Sequence, residues 1–208
     1  MSAAAKIPVI GIMGGIGSGK SEVARLLTSL GCVVADSDVH TREILTRPHV
    51  RDQIAAWWGN GVVNAAGEID RAAVGRIVFA DPDQRTRLEA LVHPLIHEAR
   101  EKMFDAARLG GAAGARALVI DAPLLMEVGL DKACDVLVFV DAPLDQRQAR
   151  VAASRGWSAA ELERRESTQM PLEQKRARSP IIIGNTAGAD ELAASVRRVL
   201  DAVAPGPA

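Results

Sequence analysis

The chain has 208 residues, a length that suits one α/β core with inserted segments. Lysine and arginine number 25 against 26 acidic residues, and the net charge of −1 gives no sign of a nucleic-acid partner. Apolar residues make up 48% of the chain and charged residues 25%, which excludes a disordered, collagen-like or disulfide-scaffold protein.

The first predicted elements are a strand, a helix and a second strand. Residues 7–13 are a short apolar run typical of a buried strand. Apolar residues at 23, 26, 27 and 30 then follow the spacing of one helix face, and Gly31 marks the end of that helix. Residues 32–35 predict a second strand that ends at Asp36. This order indicates the βαβ unit of a parallel sheet.

A long helical stretch separates this unit from three further predicted strands. Residues 41–110 are far more than a crossover needs, which predicts an inserted helical subdomain. Within it, the periodic apolar residues after Pro94 favour a helix that has this proline in its first turn. Short apolar runs at 117–120, 136–140 and 181–183 predict the remaining strands.

These patterns predict one α/β unit in three parts. The core comprises about 6–40, 111–143 and 179–204, and the helical insert comprises about 41–110. Residues 144–178, called the lid segment below, are helical in pattern and strongly basic. From 147 to 178 there are eight basic side chains against four acidic ones, a local charge of +4. A single arginine there is typical of a solvated helix face, whereas the group is typical of a lid that binds polyphosphate.

The clearest chemical signal is the glycine-rich stretch between the first strand and the first helix. Residues 14–21 fit G-x-x-x-x-G-K-[ST] in the strand-to-helix context of a phosphate-binding loop. In such a loop, N–H groups surround phosphate oxygens, the lysine reaches the β- and γ-phosphates, and the hydroxyl can bind Mg²⁺. The alternative is a glycine-rich turn with an exposed lysine. The predicted nucleotide-binding residues are Gly15, Ile16, Gly17, Ser18, Gly19, Lys20 and Ser21, with Lys20 also catalytic and Ser21 the Mg²⁺ ligand.

The loop alone does not choose among ATPases, GTPases and small-molecule kinases. No Asn/Thr-Lys-x-Asp motif for reading guanine follows a later strand, and the chain is short for a motor or transporter ATPase. A basic lid beside strand-end carboxylates therefore favours a kinase that acts on a small molecule.

Three carboxylates stand at predicted strand ends, where parallel sheets collect ligands. Asp36 and Asp38 follow the second strand, so one could orient an acceptor hydroxyl and the other could hold a Mg²⁺-bound water. Alternatively, Ser37 or Asp38 caps the next helix. Asp121 ends the third strand at the place of a Walker-B carboxylate, although aspartate is also common in turns.

Several further motifs resemble those of dephospho-CoA kinases, and the resemblance extends over nearly the whole chain. The phosphate loop is generic to nucleotide kinases, but the combination of motifs in this order is specific to that family. The motifs are D-x-D at 36–38, I-D-R at 69–71, H-P-L-I at 93–96, P-L-L-M-E at 123–127 and Q-M-P at 169–171.

The resemblance implies a P-loop kinase core of the adenylate-kinase type, with a helical CoA-binding insert and a mobile arginine-rich lid. It implies Mg²⁺-dependent transfer of the ATP γ-phosphate to the 3′-hydroxyl of the dephospho-CoA ribose. At matching positions, Asp38 is the family's base, Arg150 its catalytic lid arginine, and Asn185 belongs to the nucleotide site. Ser179-Pro180 and Gly184 depart from the family pattern just before Asn185. The implied substrate-binding residues are Asp38, His93, Leu124, Arg150 and Arg155.

Two other functions stay open at this stage. One is a nucleoside or nucleotide kinase on the same core, and the other is a nucleotide-binding regulatory module without catalysis, against which Lys20, Ser21 and Asp38 argue. A histidine before proline, as at His93, is also often a packed helix-start residue. The expected partners are ATP and dephospho-CoA, with no nucleic acid or membrane, in a monomer or weak homo-oligomer.

The chain is predicted to be cytoplasmic. Its two cysteines, Cys32 and Cys134, lie in apolar runs, which is typical of packed thiols in a reducing compartment. No apolar run reaches the roughly 18 residues that a membrane span requires, and residues 1–6 lack the order of a secretion signal.

Overall fold

Five parallel strands form one sheet in the order β2-β3-β1-β4-β5. The structure is a computed structural model that describes residues 6–110 and 114–204, so residues 111–113 of the predicted core lie outside it. The α/β class and all five predicted strands are confirmed. The strands are β1 (Val9–Gly14), β2 (Val33–Asp36), β3 (Leu118–Asp121), β4 (Val136–Asp141) and β5 (Ile181–Gly184).

The central strand β1 is buried along its whole length, between β3 and β4. Its Ile10 and Ile12 belong to an aliphatic cluster with two helices, α1 (Lys20–Ser29) and α9 (Ala189–Val203). Because helices cover such a sheet, its strands are apolar runs without alternation. The helical side of the cluster consists of Val23, Ala24, Leu27, Leu192, Val196 and Leu200.

The pairing register brings the carboxyl ends of the strands to one edge of the sheet. Asp36 of β2 lies opposite Asp121 of β3, and Gly14 of β1 lies opposite Val140 of β4. The loop that follows Gly14 therefore leaves the sheet beside the strand-end carboxylates, as expected for a ligand site of an α/β fold.

The chain divides into two units, one of which is the helical stretch Ser37–Met103. This unit contains α2 (Ser37–Leu45), α3 (Pro48–Trp58), a 3₁₀ turn (Asn60–Val62), α4 (Arg71–Ala80) and most of α5 (Pro82–Arg108). It has its own apolar cluster, in which Ile44, Val50 and Ile54 are fully buried. Asp70 of the I-D-R motif caps α4, since its carboxylate accepts the N–H groups of Ala72 and Ala73.

The prediction that a helix begins near Pro94 is wrong, because Pro94 lies inside the 27-residue helix α5. That helix begins at Pro82, where a proline costs no hydrogen bond. The carboxylate of Asp81 accepts the N–H groups of Asp83 and Gln84, at 2.8 and 3.3 Å, and so caps this start. The motif at 93–96 is therefore mid-helix, and His93 is exposed.

The lid segment is helical, as predicted. It comprises α6 (Leu144–Arg155), α7 (Ala159–Glu166) and α8 (Leu172–Ala177). Gly156 ends α6 in the left-handed conformation, and the Ser158 hydroxyl caps α7 by accepting the N–H of Glu161. Within residues 6–110 and 114–204, no helix combines the length and apolar character that crossing a bilayer requires.

Candidate active site

The glycine-rich loop connects β1 directly to the start of α1 at Lys20. The closest contacts of this loop occur at two glycines, where a side chain would not fit. A Cβ on Gly14 would lie 2.4 Å from the Val140 carbonyl oxygen, and one on Gly19 would lie 2.1 Å from the amide nitrogen of Asn185. Gly19 also has a φ of +98°, in the left-handed region that favours glycine. The tight path of this loop therefore depends on glycine at both positions.

Ser18 lies fully buried in the loop, yet its hydroxyl has no hydrogen-bond partner among the described residues. Its backbone N–H donates to the carbonyl of Gly15 at 3.1 Å. Buried polar groups in native proteins are nearly always hydrogen-bonded, so this hydroxyl calls for a partner other than the described residues. The orphaned hydroxyl and the close-set glycines fit a loop built to receive a phosphate group.

Lys20 is directed back into this loop. Its amine donates to the carbonyls of Gly14 and Gly15, at 2.9 and 3.1 Å. The pKa of Lys20 is lowered from 10.5 to about 8, chiefly by burial, with smaller contributions from the positive charges of Lys175 and Arg155 and an opposing effect of Asp121. Keeping this amine charged is therefore costly in the nucleotide-free loop, and the negative charge of a bound phosphate would offset that cost.

Two side chains brace the loop through its carbonyl oxygens. Arg150 of α6 donates to the carbonyls of Gly17, Ser18 and Asn185, at 3.4, 3.3 and 2.8 Å. The side-chain amide of Asn185 donates to the Ser18 carbonyl at 2.8 Å. Because a trans peptide directs its N–H opposite to its C=O, the N–H of Gly19 faces away from both braces. Arg150 and Asn185 thus hold the backbone of the loop in position.

A buried ion pair of the lid segment also contacts the loop. Arg147 of α6 donates to Glu166 of α7 at 2.5 Å, and the same carboxylate oxygen accepts the N–H of Ile16 at 3.0 Å. Arg147 further donates to the Ile16 carbonyl at 3.2 Å. Sequence reasoning counted both residues among the lid charges but assigned neither a role, since nothing in their local spacing indicates a contact with residue 16.

Most other basic residues of the lid segment face protein carboxylates. Arg164 and Arg165 both pair with Glu161, at 2.8 and 2.6 Å, and Arg176 pairs with Asp141. The Arg155 guanidinium stacks on the ring of Trp157, 4.8 Å from its centroid. Most of these basic groups therefore already have partners within the described part of the protein.

Lys175 is the most deeply buried of the lid cations and was missed as a site-shaping residue. It pairs with Glu127 at 2.8 Å and donates to the Pro123 carbonyl and the Gln169 side chain, at 3.3 and 3.4 Å. The same Glu127 accepts the N–H of Met170 at 2.8 Å. Lys175 therefore joins the P-L-L-M-E and Q-M-P motifs into one hydrogen-bonded network. Neither motif predicts this contact from its own sequence.

The remaining predicted residues are spread over both units. Leu124, 38% exposed, lies in the turn after β3. Asp38 and His93 belong to the helical unit, where both are exposed, on α2 and α5 respectively. The helix α2 begins at Ser37, so Ser37 and Asp38 lie within its first turn. The residue that precedes the helix, where a cap would stand, is Asp36.

The donors near the loop suit Mg²⁺ held jointly with a nucleotide. Ser21 is exposed on the first turn of α1, and Asp121 ends β3. Across residues 6–110 and 114–204, no three His, Cys, Asp or Glu side chains cluster as a metal centre. A hydroxyl and a carboxylate are the donors that P-loop proteins offer to Mg²⁺, whose other ligands are phosphate and water oxygens.

Comparisons with known proteins agree with this architecture. The dephospho-CoA kinase family profile matches residues 8–191. A dephospho-CoA kinase of Parasynechococcus marenigrum is 38% identical over 189 residues, which cover 91% of this chain and 93% of that protein. The crystal structure of TT1252 from Thermus thermophilus has a TM-score of 0.77 at 38% identity, covering 95% of this chain and 97% of that one.

A more distant structure shares the fold. The dephospho-CoA kinase of Campylobacter jejuni has a TM-score of 0.68 at 20% identity, covering 94% of this chain and 96% of that one. The profile match spans nearly the whole length over which the strands, the phosphate loop and the lid segment have been described. The chain therefore belongs to the dephospho-CoA kinase family.

Proposed function

We propose that this protein transfers the γ-phosphate of ATP to the 3′-hydroxyl of dephospho-CoA, giving coenzyme A and ADP. The observation that carries the proposal is the phosphate loop, with the partly buried Lys20 and a Ser18 hydroxyl that no described residue contacts by a hydrogen bond. Family membership supplies the acceptor, because the relative from P. marenigrum carries the name dephospho-CoA kinase.

The loop residues 15–21 would hold the phosphates of ATP through backbone N–H groups, with Lys20 neutralising the transferring group. Arg150 and Asn185 would keep the loop in its binding shape, because both donate to its carbonyls. We assign the Mg²⁺ to Ser21, with Asp121 as a second donor. When bound, Mg²⁺ offsets the negative charge of the β- and γ-phosphates.

The acceptor would be bound by the helical insert, about residues 41–110, together with Leu124 and the lid residues Arg150 and Arg155. Asp38 would accept the proton of the 3′-hydroxyl as its oxygen bonds to the γ-phosphorus. The bond from that phosphorus to the bridging oxygen then breaks, and ADP leaves with the bond's electrons. His93, exposed on α5, would contact the acceptor.

The direct test is ADP formation by the purified protein with Mg²⁺ and ATP, in the presence and absence of dephospho-CoA. Turnover that depends on dephospho-CoA is expected. Preference for a nucleoside or a nucleoside monophosphate in an acceptor panel would favour the alternative kinase. Nucleotide binding without transfer to any acceptor would favour the regulatory module. Fractionation and sedimentation test the predicted cytoplasmic location and the predicted monomer or weak homo-oligomer.

Replacing Asp38 with asparagine should lower kcat by about 10²- to 10⁴-fold, the usual worth of a general base. The change keeps the size of the side chain, and Asp38 is an exposed charge in the first turn of α2, so the melting temperature should fall by no more than about 4 °C. The matched control is Asp83→Asn, which neutralises another exposed aspartate of the helical unit and should keep full activity. Near-full activity of Asp38→Asn would show that Asp38 is not the base.

ADP affinity should fall as the pH rises above about 8. The pKa of Lys20 in the nucleotide-free protein is about 8, so above this pH its amine is increasingly neutral. Bound phosphate favours the charged amine and raises its pKa, so each unit of pH above 8 should weaken binding about tenfold until the pKa of the complex is reached. ADP itself is fully ionised in this range.

Calorimetric titration with ADP from pH 7 to 9.5 measures this dependence. Lys20→Arg is the control, because its guanidinium keeps its charge throughout and its profile should be flat. A constant ADP affinity of the wild-type protein over this range would contradict the prediction.

A further inference from the structure

The carboxylate of Glu166 takes the place of an anion at the phosphate loop. One of its oxygens accepts both the N–H of Ile16, at 3.0 Å, and the guanidinium of Arg147, at 2.5 Å. A backbone N–H of a glycine-rich loop and an arginine are the donors that proteins use to bind phosphate oxygens. The loop thus binds an anion supplied by its own chain.

The contact is built into the protein. The Arg147 and Glu166 side chains are only 8% and 19% exposed, and Arg147 also donates to the Ile16 carbonyl at 3.2 Å. The backbone N–H and the carbonyl of Ile16 are therefore both hydrogen-bonded to lid residues, which come from two different helices. Glu166 also lies close enough to Lys20 for its charge to favour the protonated amine.

A phosphate group cannot use these donors while Glu166 occupies them. It would also bring a second negative charge next to the carboxylate, which is unfavourable beside side chains that are this buried. Space for the displaced side chain is present: a cavity of about 530 Å³ beside α6, α7 and α8 is lined by both Arg147 and Glu166. Leu162, Glu163 and Gln169 contribute to its other walls.

We propose that Glu166 is the resident anion of the nucleotide-free loop and that a nucleotide phosphate replaces it at the Ile16 N–H and at Arg147. Arg147 is then a phosphate-binding residue that Glu166 holds in position beside the loop until the phosphate arrives. The proposal rests on the proposed function in one respect, namely that the phosphate loop binds the nucleotide. It makes Glu166 a determinant of nucleotide affinity and Arg147 a ligand of the phosphate.

The test is calorimetric measurement of the Kd for ADP and for the non-hydrolysable ATP analogue AMP-PNP. Glu166→Gln keeps the size of the side chain and an oxygen that can accept the Ile16 N–H, but it removes the competing charge. One of the two nucleotides has the terminal phosphate that displaces the Glu166 carboxylate in the wild-type protein. For that nucleotide we expect the Kd of Glu166→Gln to be about tenfold lower than the wild-type Kd. Comparing the two nucleotides shows whether the β- or the γ-phosphate displaces the carboxylate.

The matched control is Glu173→Gln, which removes a negative charge from the lid segment at an exposed residue that does not line this cavity. Its Kd should stay within about twofold of the wild-type value. If both variants gained affinity equally, the effect would be one of net charge and the proposal would be overturned. Unchanged or weaker binding by Glu166→Gln would also overturn it, and would indicate that the pair only supports the fold of the lid segment.

Arg147 is tested in the background that lacks the competing charge. Arg147→Met in the Glu166→Gln protein should weaken binding of the responding nucleotide about tenfold. The melting temperature of each variant is recorded, so that loss of folded protein is separated from loss of affinity. Unchanged affinity of the folded double variant would overturn the role of Arg147. Failure of the wild-type protein to bind either nucleotide would instead refute the proposed function.

Discussion

Replacing Lys20 with methionine should lower the turnover of ATP with dephospho-CoA by about 10²- to 10³-fold, the usual worth of a charged donor directed at a transferring group. Methionine keeps most of the side-chain volume but cannot neutralise a phosphate. Because burial lowers the pKa of Lys20 to about 8, keeping its amine charged at neutral pH opposes folding. The melting temperature should therefore stay the same or rise.

Steady-state kinetics and thermal unfolding of the same preparations measure both quantities. The matched control is Lys132→Met, an exposed lysine in the 3₁₀ turn Leu130–Ala133, which should change neither. Activity within tenfold of the wild-type value, or a melting temperature lowered by more than about 5 °C, would contradict the role assigned to Lys20.

Replacing Lys175 with methionine should have the largest effect on stability. The Lys175 side chain is 2% exposed and pairs with Glu127 at 2.8 Å. Removing one partner of a buried ion pair leaves the other charge uncompensated and typically lowers the free energy of unfolding by about 3–5 kcal/mol. For a chain of this size, that corresponds to a fall in melting temperature of about 6–20 °C.

The double variant Lys175→Met with Glu127→Met serves as the control for charge. Replacing both partners of such a pair by apolar groups is often close to neutral, so the double variant should regain most of the lost stability. Equal stability of Lys175→Met and the wild-type protein in thermal unfolding would show that the pair does not hold the two motifs together.

The same pair has a dependence on pH. Burial alone would raise the pKa of Glu127, but the hydrogen bonds from Lys175 and from the Met170 N–H outweigh it and leave the pKa below 4.5. A carboxylate with a lowered pKa stabilises the folded state above its unfolded pKa and loses that contribution as the pH falls. This part of the stability should therefore disappear on acidification below pH 4.5.

The sheet and the phosphate loop could be predicted from local patterns alone. Short apolar runs identified all five strands, and residues 14–21 carried the glycines that the path of the loop requires. These features can be predicted from the sequence because each depends on the spacing of residues within a short segment. The start of α5 was mispredicted because a proline inside a helix is uncommon, so Pro94 was taken as the first turn although the local signals of Asp81 and Pro82 mark the true start.

The partners of the charged residues were decided by the tertiary structure. Ile16 meets Glu166 across 150 residues of chain, and Lys175 meets the Pro123 carbonyl across 52. No periodicity records such pairings, because they arise from how the lid helices pack on the loop and on the turn after β3. The sequence by itself determined that a phosphate loop and a basic helical segment exist. The packed chain decided that most of those basic groups face protein carboxylates and carbonyls, since buried or half-buried charges need nearby partners to offset their lost hydration.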